Sequence, residues 1–189
     1  MISLIDKLRD VIDERHISED DKGTYITLQE TNESKCKPFV IKKGNTKTLT
    51  LELDLPSFEI HPMLKSGVAK LKKCPDYLIF CENRTIDDKI YVIAVELKSD
   101  NNDDWHRQVK AGLAIAEYLV GILKGYLKKH FENVEYRCLL FHTGTETSRM
   151  RKKKKIKSQR FEYEEHPIFK YKFADRPCNI EHDLELYLR

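Results

Sequence analysis

The sequence predicts an α/β domain with a mixed central β-sheet flanked by helices. Three observations predict it. Residues 74–98 read as a β-hairpin whose second strand, Tyr91-Val92-Ile93-Ala94-Val95, is apolar at both parities and so covered on both faces. A long apolar helix follows at about 104–129, and a further strand, 135–142, follows the helix. Strand, helix and strand in that order make a crossover unit.

The chain opens on a helix at 3–14, with Leu4, Ile5, Leu8, Val11 and Ile12 at helical spacing and Ser3 as its N-cap. Strand-like runs follow at 25–29, 39–42 and 48–55, and the Gly44-Asn45 turn predicts that the last two pair antiparallel. The third run alternates Leu49, Leu51, Leu53 and Leu55 with Thr48, Thr50, Glu52 and Asp54, which reads as one buried and one solvated face. Pro56 ends that run, and Pro62 and Gly67 mark a connecting segment. Lys65, Lys70, Lys72 and Lys73 make the segment basic, either as phosphate-binding charge or as a solvated helix face.

On the long helix, Val109, Leu113, Ala116, Val120, Leu123 and Leu127 form an apolar stripe, and Ala111, Gly112, Ala114 and Ala116 are small enough for close approach to the sheet. Trp105 at its start either stacks on a base or covers the helix end. The polar stretch 142–147 reads as a loop rimming the site. Beyond it come strands at 161–163 and 168–173, with Pro167 between them, and a short helix carrying Ile180, Leu184, Tyr187 and Leu188.

Composition narrows the classes. One domain spanning 1–189 is the default for 189 residues, with its core at about 49–142. The sequence holds no apolar run near the ~18 residues of a membrane span and no signal-like N-terminus, so the reading is cytoplasmic, with no membrane partner. The five cysteines (36, 74, 81, 138, 178) show no CxxC spacing, which argues against a disulfide framework or zinc ribbon and for small core residues. Net charge is +3, but eight basic residues and no acid lie in 149–160; 26 basic and 31 acidic residues elsewhere leave the remainder at −5. Arg149, Arg151, Lys152, Lys153, Lys154, Lys155 and Lys157 form this polybasic loop, a candidate nucleic-acid-binding segment or a solvated one.

The chemistry concentrates in the hairpin. With a turn near Ile86, antiparallel pairing sets Phe80 opposite Val92, Leu78 opposite Ala94 and Asp76 opposite Glu96; opposed residues share a face with Cβ atoms about 5 Å apart. Lys98 lies on that face two residues on. Paired carboxylates repel unless a cation is shared, and Mg²⁺ suits such a pair with water and phosphate oxygens. A nearby lysine can orient the attacking water or steady charge on phosphorus. The alternative is a surface hairpin with an exposed Glu96–Lys98 ion pair worth about 0–1 kcal/mol.

Pro75-Asp76 followed by Glu96-Leu97-Lys98 resembles the PD-(D/E)xK nuclease superfamily. The resemblance covers roughly 49–142 and implies a restriction-endonuclease-like fold. It further implies Asp76, Glu96 and the Leu97 carbonyl as ligands of Mg²⁺ (or Mn²⁺), and Lys98 at the attacking water. Gln108 matches a glutamine that many members carry on the helix after the lysine strand. Glu52 and Asp54 are possible additional acids if their strand neighbours the hairpin, and Glu14 is a further one in the superfamily's early-helix position. The expected activity is metal-dependent hydrolysis of phosphodiester bonds in DNA, endo- or exonucleolytic, in a defence or repair setting. Two alternatives stand beside it: a non-cleaving module of the same fold that binds nucleic acid or protein, and an RNA-directed nuclease. A homodimer or a partner protein is the expected assembly.

Overall fold

The first helix, α1 (Leu4–Val11), is short, and the chain supplies both of its ends. Ser3 caps it, its hydroxyl accepting from the Asp6 amide at 3.3 Å. The free amides of the first turn meet an anion from another element: the Glu82 carboxylate accepts from Leu4 N at 2.7 Å, Ile5 N at 3.3 Å and the Ser3 hydroxyl at 2.8 Å. A long-range carboxylate thus fixes where the helix starts. The computed structural model describes residues 3–19, 23–29, 38–55, 73–82, 89–98, 105–127, 133–143, 159–163, 166–173 and 181–188.

The strands are β1 (Tyr25–Leu28), β2 (Phe39–Lys42), β3 (Lys47–Glu52), β4 (Tyr77–Glu82), β5 (Ile90–Lys98), β6 (Val134–Thr143), β7 (Gln159–Tyr163), β8 (His166–Phe173) and β9 (Glu181–Asp183). The second helix, α2 (Trp105–Leu127), connects β5 to β6. Six strands form a mixed sheet in the order β3-β4-β5-β6-β8-β7, and three form a second sheet in the order β1-β2-β9. The α/β class with a mixed sheet is therefore observed, and β5-α2-β6 is the expected parallel crossover.

Each face of the large sheet has its own core. On one side, Leu4, Ile5 and Leu8 of α1 and Ala116, Val120 and Leu123 of α2 pack on Leu49, Leu51, Leu78, Phe80 and Val92. On the other, Ile26, Leu28, Phe39 and Ile41 of the small sheet pack on Ile79, Ile93, Val95, Leu139 and Phe141. That double cover explains why β5 is apolar at both parities.

The structure corrects several expectations. The Gly44-Asn45 turn forms, with Gly44 at φ +60° and the Thr46 amide donating to the Lys43 carbonyl at 3.1 Å. Yet β2 and β3 do not pair; they enter different sheets. A two-residue hairpin loop would set Ile41 against Thr48 and Phe39 against Thr50, leaving the leucines of β3 on the opposite face. The apolar sets are out of phase, so each strand joins the sheet that buries its own. Thr48 and Thr50 are buried as well, so the solvated face expected of β3 is not observed there. Its outer edge carries a bridge from Ile17 to Leu51, and the Ser18 amide donates to the Thr50 carbonyl at 2.9 Å.

Pro167 lies inside β8 rather than between strands, opposite Glu162 in the β7–β8 hairpin. The ladder with β6 begins only at Ile168, so the missing proline donor removes no bond from that ladder. The large sheet runs on to Phe173, past the expected core limit of 142. The C-terminal helix is a single 3₁₀ turn, Leu184–Tyr187, preceded by β9. None of the described helices is long and apolar enough to cross a membrane.

Candidate active site

The site is built where β4 and β5 part. The observed register pairs Phe80 with Val92, Leu78 with Ala94 and Tyr77 with Val95, as the sequence spacing predicts. Continued one residue further, that register sets Asp76 across from Glu96. The ladder ends at this point, and a side chain replaces it: Asp76 Oδ2 accepts from the Leu97 amide at 2.6 Å. The Asp76 carbonyl meanwhile accepts from Leu53 N at 2.9 Å, so β3 is held beside the same turn. Asp76 is half-buried and Glu96 is 0 % exposed.

Several neighbours fix the Cys74-Pro75-Asp76 turn. Gln108 of α2 donates its amide to the Cys74 carbonyl at 3.3 Å, while its buried Oε1 has no hydrogen-bond partner among the described residues. Gly112, one turn on, lies directly over Pro75: a Cβ there would meet Pro75 Cγ at 2.4 Å and Cδ at 2.9 Å. The glycine is a condition for α2 to close on the turn. Tyr77, next to Asp76, accepts from the Gln29 amide at 3.0 Å and donates to the Gln29 carbonyl at 2.7 Å, tying the site to the end of β1.

Negative charge converges here. Burial, then the charges of Asp54, Asp76 and Glu96, push the Cys74 thiol up to about 12. The protonated thiol lies 3.4 Å from the Leu53 carbonyl, within reach of a weak S–H···O bond. Asp54 therefore belongs to the neighbourhood of the pair. Glu52 does not: it is paired with Tyr77, one position out of phase with Asp76 and hence on the opposite face. Glu14 is exposed in a 3₁₀ turn beyond the end of α1. Lys98 is the last residue of β5, two positions past Glu96 and in register with His142 of β6.

Trp105 is half-buried against Ala94, Val109, Leu113 and Cys138, so it covers the helix start. Burial also pushes the Cys138 thiol up to about 12; Cys74, Cys81 and Cys138 are all buried thiols outside any disulfide. Ala114 is exposed, unlike its small neighbour Gly112. The polybasic segment 149–157, the lysines at 65, 70 and 72, and Cys36 and Cys178 lie outside the described residues.

Sequence reasoning missed the parts played by Cys74 and Tyr77. The Cys74-Pro75-Asp76 adjacency signalled the first; nothing local signalled that the Tyr77 hydroxyl would reach Gln29. The chain matches no protein-family model, no curated protein and no solved structure.

The residues that could hold a divalent cation here are Asp76 and Glu96, with the Leu97 carbonyl as the resemblance implies. Among the described residues no group of three or more His, Cys, Asp and Glu side chains could hold a metal ion. Two carboxylates fit Mg²⁺ all the same, which keeps several waters and takes oxygen from a substrate phosphate. They do not suit zinc, whose structural sites use four protein ligands rich in nitrogen and sulfur.

Proposed function

We propose that this protein is a Mg²⁺- or Mn²⁺-dependent nuclease that hydrolyses phosphodiester bonds in DNA, with a PD-(D/E)xK-type site on a restriction-endonuclease-like fold. The observation that carries the reading is the fully buried Glu96 set across from Asp76 where two central strands separate, with Lys98 two residues on. Two like charges placed together, one of them fully out of water, cost stability unless a cation is shared between them. A purely structural strand end needs none of the three residues.

In this reading Asp76, Glu96 and the Leu97 carbonyl hold the cation, which when bound polarises the scissile phosphate. The Leu97 amide keeps the Asp76 carboxylate turned toward β5. Lys98 orients the attacking water and steadies charge building on the phosphorus oxygens. Gln108 and Gly112 act as positioning residues, since both hold the turn that carries Asp76. The basic segment at 149–157 grips the backbone, a contact that carries no sequence information.

The test is cleavage of plasmid, linear and single-stranded DNA, with an RNA control, in Mg²⁺, Mn²⁺ or EDTA. Metal-dependent cutting abolished by both Glu96→Ala and Lys98→Ala supports the reading, and the substrate panel separates DNA from RNA. Cutting that survives both substitutions overturns the site. Salt-sensitive binding without cutting, weakened when Lys152, Lys153, Lys154 and Lys155 are neutralised, moves the assignment to a non-cleaving module.

A further inference from the structure

α2 buries Val109, Gly112, Leu113, Ala116, Val120 and Leu123, and its opposite side is largely exposed among the described residues. There Tyr118 is 53 % exposed, Ile122 47 % and Tyr126 78 %, three of the five exposed large hydrophobic residues among those described. Between them lie Gly121 and Gly125, where an added Cβ would meet nothing within 4 Å. Glycine weakens a helix relative to alanine, so two of them on an open face need a reason. Ala111, Ala114, Tyr118, Gly121 and Gly125 follow the alternating three- and four-residue spacing of a helix-pairing seam.

We propose that this face pairs with α2 of a second copy of the chain, antiparallel about a two-fold axis. The seam is complementary to itself in that sense. Setting Tyr118 over Gly121 of the partner subunit places Ala114 against the partner subunit's Gly125, so large meets small. Parallel pairing would stack Tyr118 on its own copy and waste the space above Gly121. Charge agrees with the antiparallel sense. Glu117 and Lys124 are both exposed and lie seven residues apart on one flank. In this register each Glu117 comes within reach of Lys124 of the partner subunit, giving two ion pairs by symmetry. The inference does not rest on the nuclease reading.

Sedimentation equilibrium of the full chain over about 1–100 µM tests it, with circular dichroism to confirm that each variant is folded. The expected results are a dimeric wild type and a monomeric Tyr118→Glu. Glu117→Lys should raise the dissociation constant by about tenfold by turning both ion pairs into repulsions. Adding Lys124→Glu to Glu117→Lys should restore the wild-type value. A wild type monomeric throughout, or a dimer indifferent to Tyr118→Glu, overturns the interface. Failure of the charge swap to restore pairing overturns the antiparallel register.

Discussion

Among the described residues, the large sheet buries charge in two places with different surroundings. At Arg137, 5 % exposed, the charge meets a carboxylate, a carbonyl and a ring face. The guanidinium donates to Glu135 Oε1 at 2.7 Å and to the Tyr187 carbonyl, and it lies 4.5 Å from the centroid of the Tyr91 ring. Glu135 is held in turn by Lys89 at 3.0 Å. This network pins the C-terminal 3₁₀ turn to β6, and no chemistry is needed to explain it. Around Cys74, by contrast, three carboxylates act in the same direction: Asp54, Asp76 and Glu96 all push one thiol up. The first cluster reads as architecture, whereas the second is where the proposed cation site lies.

Four substitutions break or sharpen that contrast. Glu96→Gln should reduce cleavage by about 10³-fold or more, while raising stability in chelator by about 1 kcal/mol because one repelling charge is gone. Kinetics and urea melts of the same protein check both halves. Arg137→Ala should do the reverse, costing about 1–3 kcal/mol in a denaturant melt by leaving the buried Tyr187 carbonyl without its donor and Glu135 to Lys89 alone, with activity per folded molecule kept. Gly112→Val should fall between: overlap with Pro75 costs about 1–3 kcal/mol and lowers the cleavage rate by shifting Asp76.

The smallest effect is a pH signature at Glu135. Burial alone would raise this carboxyl, but its hydrogen bonds to Arg137 and Lys89 bring it below the usual value. A carboxylate lowered in the folded state stabilises above its unfolded pKa, ~4.3, and loses that contribution as pH falls through the folded value. Glu135→Gln should therefore cost about 1 kcal/mol at pH 7. The difference should close as the pH drops below ~4.3, which paired thermal melts across pH will show.

The hairpin was legible because both strands carry unambiguous apolar runs, and the register then followed from counting to the turn. That counting placed Asp76 across from Glu96 without any tertiary information. The helix after Lys98 and the strand after it were legible from their periodicity. Sheet membership was not. The glycine turn at 44–45 signals a hairpin locally, and only the phase mismatch between Ile41 and Leu49 shows that the two strands must part. The Glu82 clamp on α1 and the Tyr187–Arg137 contact join residues far apart in the chain, with no local pattern to announce them. Gly112 was visible as a small residue, but not as the one that must clear Pro75.

Metal-dependent thermal stability is the most direct test of whether Asp76 and Glu96 form a cation site. Melting midpoints of wild type and Glu96→Gln should be measured in EDTA and across a Mn²⁺ titration. A cation held by this pair gives a saturable rise for the wild type and a flat response for the variant. Equal responses from the two proteins, or no response from the wild type, would contradict it.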